Sequence, residues 1–319
     1  MKRLILWGML LLPLAGICQQ QDTAVSTKGM FDLDPGLVMA FLSKDSVDKN
    51  EVLQDIGALN ALLRIDIGEA AMMKELAAID REKDSTRFYN FVTTKPAALY
   101  QEKRILMQQF VAEHPDSYVS LYELNENNGM YSADSYAVAY AKLSNRLKNM
   151  QAAQKIRDRI TQLKKISLHG TQAANFTRKN QYGKTIRLSD YKGKLIILDF
   201  WGSWCGACRQ SHPHLKELYE AYKDKGLEII AVANENVHGD KTPLVKAKAA
   251  WLAAIKKDGV NWVHVLNDEG SGGMDIVKAF QITAYPTKFL LDKEGKILLR
   301  IEDGLNIEID QTIKSMLDK

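Results

Sequence analysis

Cysteine is scarce in this chain: three residues among 319, at positions 18, 205 and 208. So few exclude a scaffold stapled by several disulfides. Long apolar runs are scarcer still. The only one, Leu4 to Leu14, falls short of the ~20 residues that cross a bilayer, and nothing later is apolar enough to serve. Charge of one sign is missing too. Lysine and arginine total 43 against 39 acidic residues, with no concentrated basic footprint, so neither nucleic acid nor an anionic lipid surface is an expected partner. Residues 35–165 hold no repeat, no low-complexity tract and no cysteine. What is present is ordinary globular material. Hydrophobic residues make up 46% and charged residues 26%, over a length that suggests two domains.

The amino terminus reads as an export signal. Lys2 and Arg3 precede the apolar run, and the small residues Ala15 and Gly16 follow it. Cys18 raises lipidation as an alternative, but Ile17 is the wrong size for the position before a lipidated cysteine. Gly16 and Cys18 fit the small positions of a peptidase site, so cleavage after Cys18 is predicted, with residues 1–18 removed. Loss of Lys2 and Arg3 then lowers the formal charge from +4 to +2. The location that follows is the periplasm, with a lipid anchor on Cys18 the lesser alternative.

Four regions are expected: the signal peptide 1–18, a flexible polar leader 19–34, a helical domain 35–165, and a second domain 166–319. In the helical region Leu53, Ile56, Leu59, Leu62 and Leu63 recur at steps of three and four. Pro115 ends one helix, and Asp116 or Ser117 is placed to cap the next. A last helix is expected from about residue 134 to 165, broken or bent near Asn149. Beyond Leu168 short apolar strands alternate with helices. Leu195–Phe200 reads as a strand covered on both faces, followed by a helix from about Gly206 to Lys225 and a buried strand from Glu228 to Ala233. A further helix is expected from Pro243 to Lys257. A hairpin turns at Glu294-Gly295, and a final helix spans Ile307–Leu317. Such alternation gives an α/β sheet with helices on both faces.

Trp204-Cys205-Gly206-Ala207-Cys208 sits where the central strand hands over to a helix. A thiolate at Cys205 would be favoured by free amides and the helix dipole, which lower such cysteine pKa values from ~8.5 into the range ~3.5–7.5. Cys208, one turn further in, is expected to be more buried and to act as the resolving thiol. A passive structural disulfide is the alternative, although a two-residue loop constrains little of the unfolded chain. Asp199 lies within the apolar strand. A carboxylate there is costly and is expected to have a raised pKa and a functional reason for its burial. His212 and His214 complete a Cys-x2-Cys-x3-His-x-His set of zinc-type ligands. Pro213 stands between them, and rim histidines are expected instead, with no metal and no cofactor. Glu235, just after a central strand, is read as a rim residue.

The run Phe200-Trp201-Gly202-Ser203-Trp204-Cys205-Gly206-Ala207-Cys208-Arg209 resembles the thioredoxin superfamily, and most of all its exported TlpA/ResA branch. The resemblance covers residues 166–319 and includes Leu188 to Lys194 and Tyr285-Pro286-Thr287-Lys288-Phe289-Leu290-Leu291-Asp292. It implies an α/β thioredoxin-like fold in the C-terminal part, preceded by an all-α domain. It implies a cis bond before Pro286, close to the sulfurs, and a backbone edge at Tyr285 that pairs with an extended substrate beside Trp204. It makes Asp199 the proton acceptor for Cys208. The implied activity is thiol–disulfide exchange with periplasmic protein thiols and disulfides, fed by a membrane or soluble thiol donor, in cytochrome c maturation or redox homeostasis. Two departures stand out. Ser211 occupies a position where the branch often carries glutamate, leaving Asp199 to act alone or with water. Gly206-Ala207 replaces the Gly-Pro pair of the reducing members.

The helical half carries a weaker resemblance. His114-Pro115-Asp116-Ser117, Ser120-Leu121 and Gly170 look like the segment preceding the thioredoxin domain in exported Bacteroidota proteins, where a small β-rich domain often comes first. No strands are evident in residues 35–100. Among other functions, an AhpC/TSA-type thiol peroxidase carries threonine three residues before its cysteine, where this chain has Gly202. A non-enzymatic adaptor would have no need of Trp204, Asp199 and Pro286 together.

Overall fold

The computed structural model describes residues 32–66, 69–80, 82–236, 243–267, 273–304 and 307–318. The expected signal peptide, including Cys18, lies outside them, as do residues 19–31 of the expected leader. The leader's last residues, 32–34, are tied down. The Leu33 amide donates to Asn60 Oδ1 at 2.7 Å, and Asp34 caps the first helix by accepting from Gly36.

Among the described residues, eight α-helices follow: α1 (Pro35–Phe41), α2 (Lys49–Asp66), α3 (Glu69–Ala77), α4 (Ser85–Glu113), α5 (Tyr118–Glu126), α6 (Ala133–Lys142), α7 (Asn145–Lys148) and α8 (Ala153–Ile166). The leucine stripe has a packing cause: Val52, Ile56, Leu59 and Leu63 turn inward against Phe110, Leu121, Leu124 and Tyr136. Leu53 of the same stripe is exposed. Ser117, not Asp116, caps α5, its hydroxyl accepting from the Val119 amide at 3.1 Å. The expected helix over 134–165 is three helices, because Ser144 caps α7 and the chain breaks again at residues 149–152.

The second half contains β1 (Thr177–Lys179), β2 (Thr185–Arg187), β3 (Leu195–Trp201), α9 (Gly206–Gln210), α10 (His212–Tyr222), β4 (Leu227–Ala233), α11 (Leu244–Asp258), β5 (Val263–Leu266), α12 (Ile276–Ala279), β6 (Thr287–Leu291), β7 (Ile297–Ile301) and α13 (Ile307–Leu317). Strands order as β5-β4-β3-β6-β7, with β5, β4 and β3 parallel and β6 and β7 antiparallel. β3 is central and buried along its whole length, which explains its unbroken apolar run. Its side chains alternate between two cores. Leu195, Ile197 and Trp201 face α10, α11 and α13 through Leu215, Trp251 and Ile313. Ile196, Leu198 and Phe200 face the β1–β2 hairpin and α12 through Ile186, Ile276 and Phe280. The helix expected from Gly206 to Lys225 is interrupted at Ser211, and Pro213 sits in the first turn of α10, where its missing amide is tolerated.

The two halves meet through paired polar groups. Arg104 of α4 is ion-paired with Asp303, and Arg159 of α8 with Glu302. The Ser132 and Ser135 hydroxyls donate to Glu308 at 2.6 and 2.7 Å. Gly129 lies so close to this segment that a Cβ would sit 2.8 Å from the Glu302 carbonyl oxygen. On its other flank the same segment reaches the cysteine helix. A Cβ on Gly304 would lie 3.2 Å from the Ala207 carbonyl oxygen and 3.7 Å from Pro286 Cγ.

Candidate active site

The end of β3 delivers the chain into a tight turn. The Cys205 amide donates to the Gly202 carbonyl at 3.0 Å, and Cys205 becomes the N-cap of α9. The Cys208 amide points back at Cys205 Sγ, 3.2 Å away. An amide aimed at that sulfur stabilises negative charge on it when the pair is reduced. Cys205 and Cys208 are joined by a disulfide, with Cα atoms 5.3 Å apart. Cys208 is fully buried while Cys205 keeps 5% exposure, so a substrate reaches Cys205 first.

Trp204 is the exposed aromatic of the site, at 41%. Its indole N–H donates to the Asn234 carbonyl at 2.9 Å, and its ring meets Tyr285 edge to face at 5.4 Å. The Tyr285–Pro286 peptide bond is cis, and the Asn234 side chain donates to the Tyr285 hydroxyl at 2.8 Å. Trp204 and Tyr285 thereby meet next to the core that holds both cysteines, although they lie 81 positions apart in the chain. Gly202 is needed where it stands. A Cβ there would fall 2.3 Å from Trp204 Nε1 and 2.8 Å from the Asn234 carbonyl oxygen.

Asp199 is fully buried, and it has a partner that the sequence did not reveal. Register places Asp199 opposite Lys288 on β6, and Lys288 Nζ donates to Asp199 Oδ1 at 2.9 Å. Lys288 also reaches Ser211 Oγ at 3.3 Å, and Ser211 donates to the Cys208 carbonyl at 2.7 Å. The Lys288 cation offsets part of the cost of burying that anion. Oδ2 of Asp199 remains buried with no hydrogen-bond partner among the described residues. Alternation along β3 turns Asp199 toward the face covered by α9 and α10, the side where Cys208 lies.

The histidines do not converge with the cysteines. His212 is buried, contrary to the expectation of a rim residue, because Asp258 meets its Nδ1 at 2.8 Å under α10. Arg209 donates to the same carboxylate at 2.9 and 2.5 Å. Burial opposes the charge on Asp258, but the bonds from Arg209 and His212 prevail and hold it well below the usual carboxylate range. His214 pairs with Asp310, whose hydrogen bond raises its pKa. Neither histidine is presented as part of a Cys–His ligand set, and none of the described residues forms a metal-binding cluster of three or more such side chains.

Lys288 and Asn234 were not apparent as site residues in the sequence. For Lys288 the sequence held half a signal, a lysine flanked by Thr287 and Phe289 inside a strand too apolar to face water, while its place opposite the aspartate comes only from register. Glu235 is more than a rim residue, since its carboxylate binds the Ser203 amide and hydroxyl at 2.8 and 2.6 Å.

Residues 169–300 match the model of the AhpC/TSA family. Thiol-disulfide oxidoreductase ResA of Bacillus thuringiensis subsp. konkukian is 37% identical over 134 residues, which are 42% of this chain and 69% of that protein. ResA of Bacillus subtilis is 36% identical over 129 residues, 40% of this chain and 64% of that protein. Among solved structures, the thioredoxin domain of a thiol-disulfide oxidoreductase from Bacteroides vulgatus is 27% identical. It covers 47% of this chain and 97% of its own, with a TM-score of 0.39. A cysteine pair between a buried strand and a helix, together with the ResA relatives, makes the chain a thiol-disulfide oxidoreductase of the TlpA/ResA-like branch of the thioredoxin superfamily.

Proposed function

We propose that the chain is exported to the periplasm and exchanges disulfides with proteins there through Cys205 and Cys208. The observation that carries this reading is the cysteine pair sharing one core with Tyr285 of the cis Tyr285–Pro286 bond, next to exposed Trp204. In the reducing direction the Cys205 thiolate attacks one sulfur of a substrate disulfide. The Cys205–substrate bond forms, the substrate S–S bond breaks, and one substrate thiolate leaves. Cys208 then gives up its proton and attacks Cys205 Sγ. The internal disulfide forms and the second substrate thiolate leaves, so two electrons have passed to the substrate. A thiol donor, in the membrane or in solution, returns two electrons to the Cys205–Cys208 disulfide.

Asp199 is the proton acceptor in the second step. Its free Oδ2 supplies the basic site, while Lys288 holds Oδ1 and keeps the carboxylate in place. Trp204 and Tyr285 form the apolar face on which an extended substrate lies, with the backbone before Pro286 as its pairing edge. Maturation of cysteine-bearing exported proteins such as cytochrome c, or general thiol homeostasis, is the role that fits this chemistry. Thiol peroxidase chemistry fits less well. The threonine such enzymes carry would fall at Gly202, where the Trp204 indole leaves no room for a Cβ.

Expression of the full chain with Cys208→Ser tests location and substrate together. Mixed disulfides should accumulate in the periplasmic fraction and release their partners on reduction. Recovery of the protein only from the cytoplasm, or of no reductant-releasable partner, would count against the proposal.

A further inference from the structure

One dipeptide, Asn234-Glu235 after β4, holds both the substrate-facing aromatics and the lead-in to the nucleophile. Asn234 takes Trp204 through its carbonyl and Tyr285 through its side chain. Glu235 takes Ser203 twice, through the amide at 2.8 Å and the hydroxyl at 2.6 Å. Ser203 is the first inner residue of the turn closed between Gly202 and Cys205. The Glu235 carboxylate therefore clamps the turn two residues before the attacking sulfur.

The charges around that turn are unequally matched. Asp199 and Lys288 neutralise one another beneath the pair. Arg209, on the cysteine helix, is bound to Asp258, which His212 also meets. Both hydrogen-bond partners of Glu235 are groups of Ser203 and carry no charge. Among the described residues, Glu235 thus brings an anion to the Gly202–Cys205 turn without a cation paired to it. Its bond to the Ser203 amide also occupies a donor that would otherwise be open to a nearby anion. When the disulfide is reduced, a Cys205 thiolate adds a second negative charge to the same neighbourhood, and like charges disfavour one another.

We propose that Glu235 is a positioning residue that locks the Gly202–Cys205 turn through Ser203 and, by its charge, restrains ionisation of Cys205, making the pair more reducing. The link to reduction follows from the thiolate belonging to the reduced form. Whatever destabilises the thiolate favours the disulfide and strengthens the dithiol as a reductant. This rests on the reading of Cys205 as the nucleophile.

The test uses the purified full chain. In a Cys208→Ser background, ultraviolet absorbance reports the Cys205 thiolate directly. Glu235→Gln keeps an acceptor for the amide and removes the charge, and it should raise the thiolate-to-thiol ratio at neutral pH by about threefold or more, half a pKa unit. With both cysteines present, the same substitution should shift the equilibrium with glutathione by about threefold or more toward the dithiol form. Ser203→Ala removes the hydroxyl bond and keeps the charge, so it should not raise the thiolate fraction. Glu235→Asp also keeps the charge and should stay within twofold of the parent, which preserves the test if Glu235→Gln does not fold. A merely structural clamp predicts slower attack in Glu235→Gln and Ser203→Ala alike with no gain in thiolate, and that result would overturn the proposal. A parent chain whose Cys205 does not attack a peptide disulfide at all would overturn the exchange mechanism instead.

Discussion

A buried lysine is the residue that most changes the picture of the site. Lys288 and Asp199 are both essentially excluded from water and pair through Oδ1 across β3 and β6. Such a pair adds little net stability over apolar residues, but removing one partner leaves an uncompensated charge and costs about 3–5 kcal/mol. Lys288→Met should therefore destabilise the protein by about that amount, read from urea unfolding. Lys288→Met combined with Asp199→Leu should recover much of the loss. A single variant as stable as the parent would mean that the pair is solvated in solution. The aspartate was legible in the sequence because a lone acid interrupts Leu195–Phe200. Its partner was not, because cross-strand register depends on the pairing of segments some 90 residues apart, which no local pattern encodes.

At the scale of elements, β5 places a histidine where no proton is welcome. His264 is wholly buried, stacked on Trp262 at 5.6 Å and edge-on to Trp201 at the same distance. Burial, reinforced by nearby His212, pushes its pKa down from 6.5 to about 3. The unfolded chain binds a proton there near pH 6.5 and the folded chain refuses it until about pH 3. The unfolded state is thus the better proton binder between those values, so stability falls as pH drops through that window. Urea midpoints measured from pH 7 to pH 4 should decline, and His264→Phe, which keeps an aromatic ring against Trp262, should flatten part of the decline. Equal slopes in parent and variant would show that His264 is accessible to protons when folded. Most elements were legible from apolar periodicity and turn residues. The β1 strand was not, being three residues long with only Arg178 turned inward. Nor was the break at Ser211, where the pattern on either side remains helical and only Pro213 marks a new first turn.

The whole molecule joins a helical half to the redox half through partly buried ion pairs, and one short segment spans the junction. Glu302 and Asp303 are held by Arg159 and Arg104, while Gly304 lies against Ala207 and Pro286. Burial lowers the Arg104 pKa to about 10, so this guanidinium depends on its carboxylate partner in place of water. That junction was beyond sequence reading, since its acids and arginines look like ordinary surface charges until the halves are docked. The cysteine site, by contrast, was legible because its chemistry sits in one contiguous run at a strand-to-helix junction. The central claim is the division of labour between the two sulfurs, with exposed-side Cys205 attacking and buried Cys208 resolving. Intact mass after mixing the reduced full chain with an oxidised peptide measures it most directly. Cys208→Ser should retain one peptide in a reductant-sensitive adduct, Cys205→Ser should retain almost none, and the parent should end as the internal disulfide. Equal adducts on both variants, or an adduct on Cys205→Ser alone, would contradict the account.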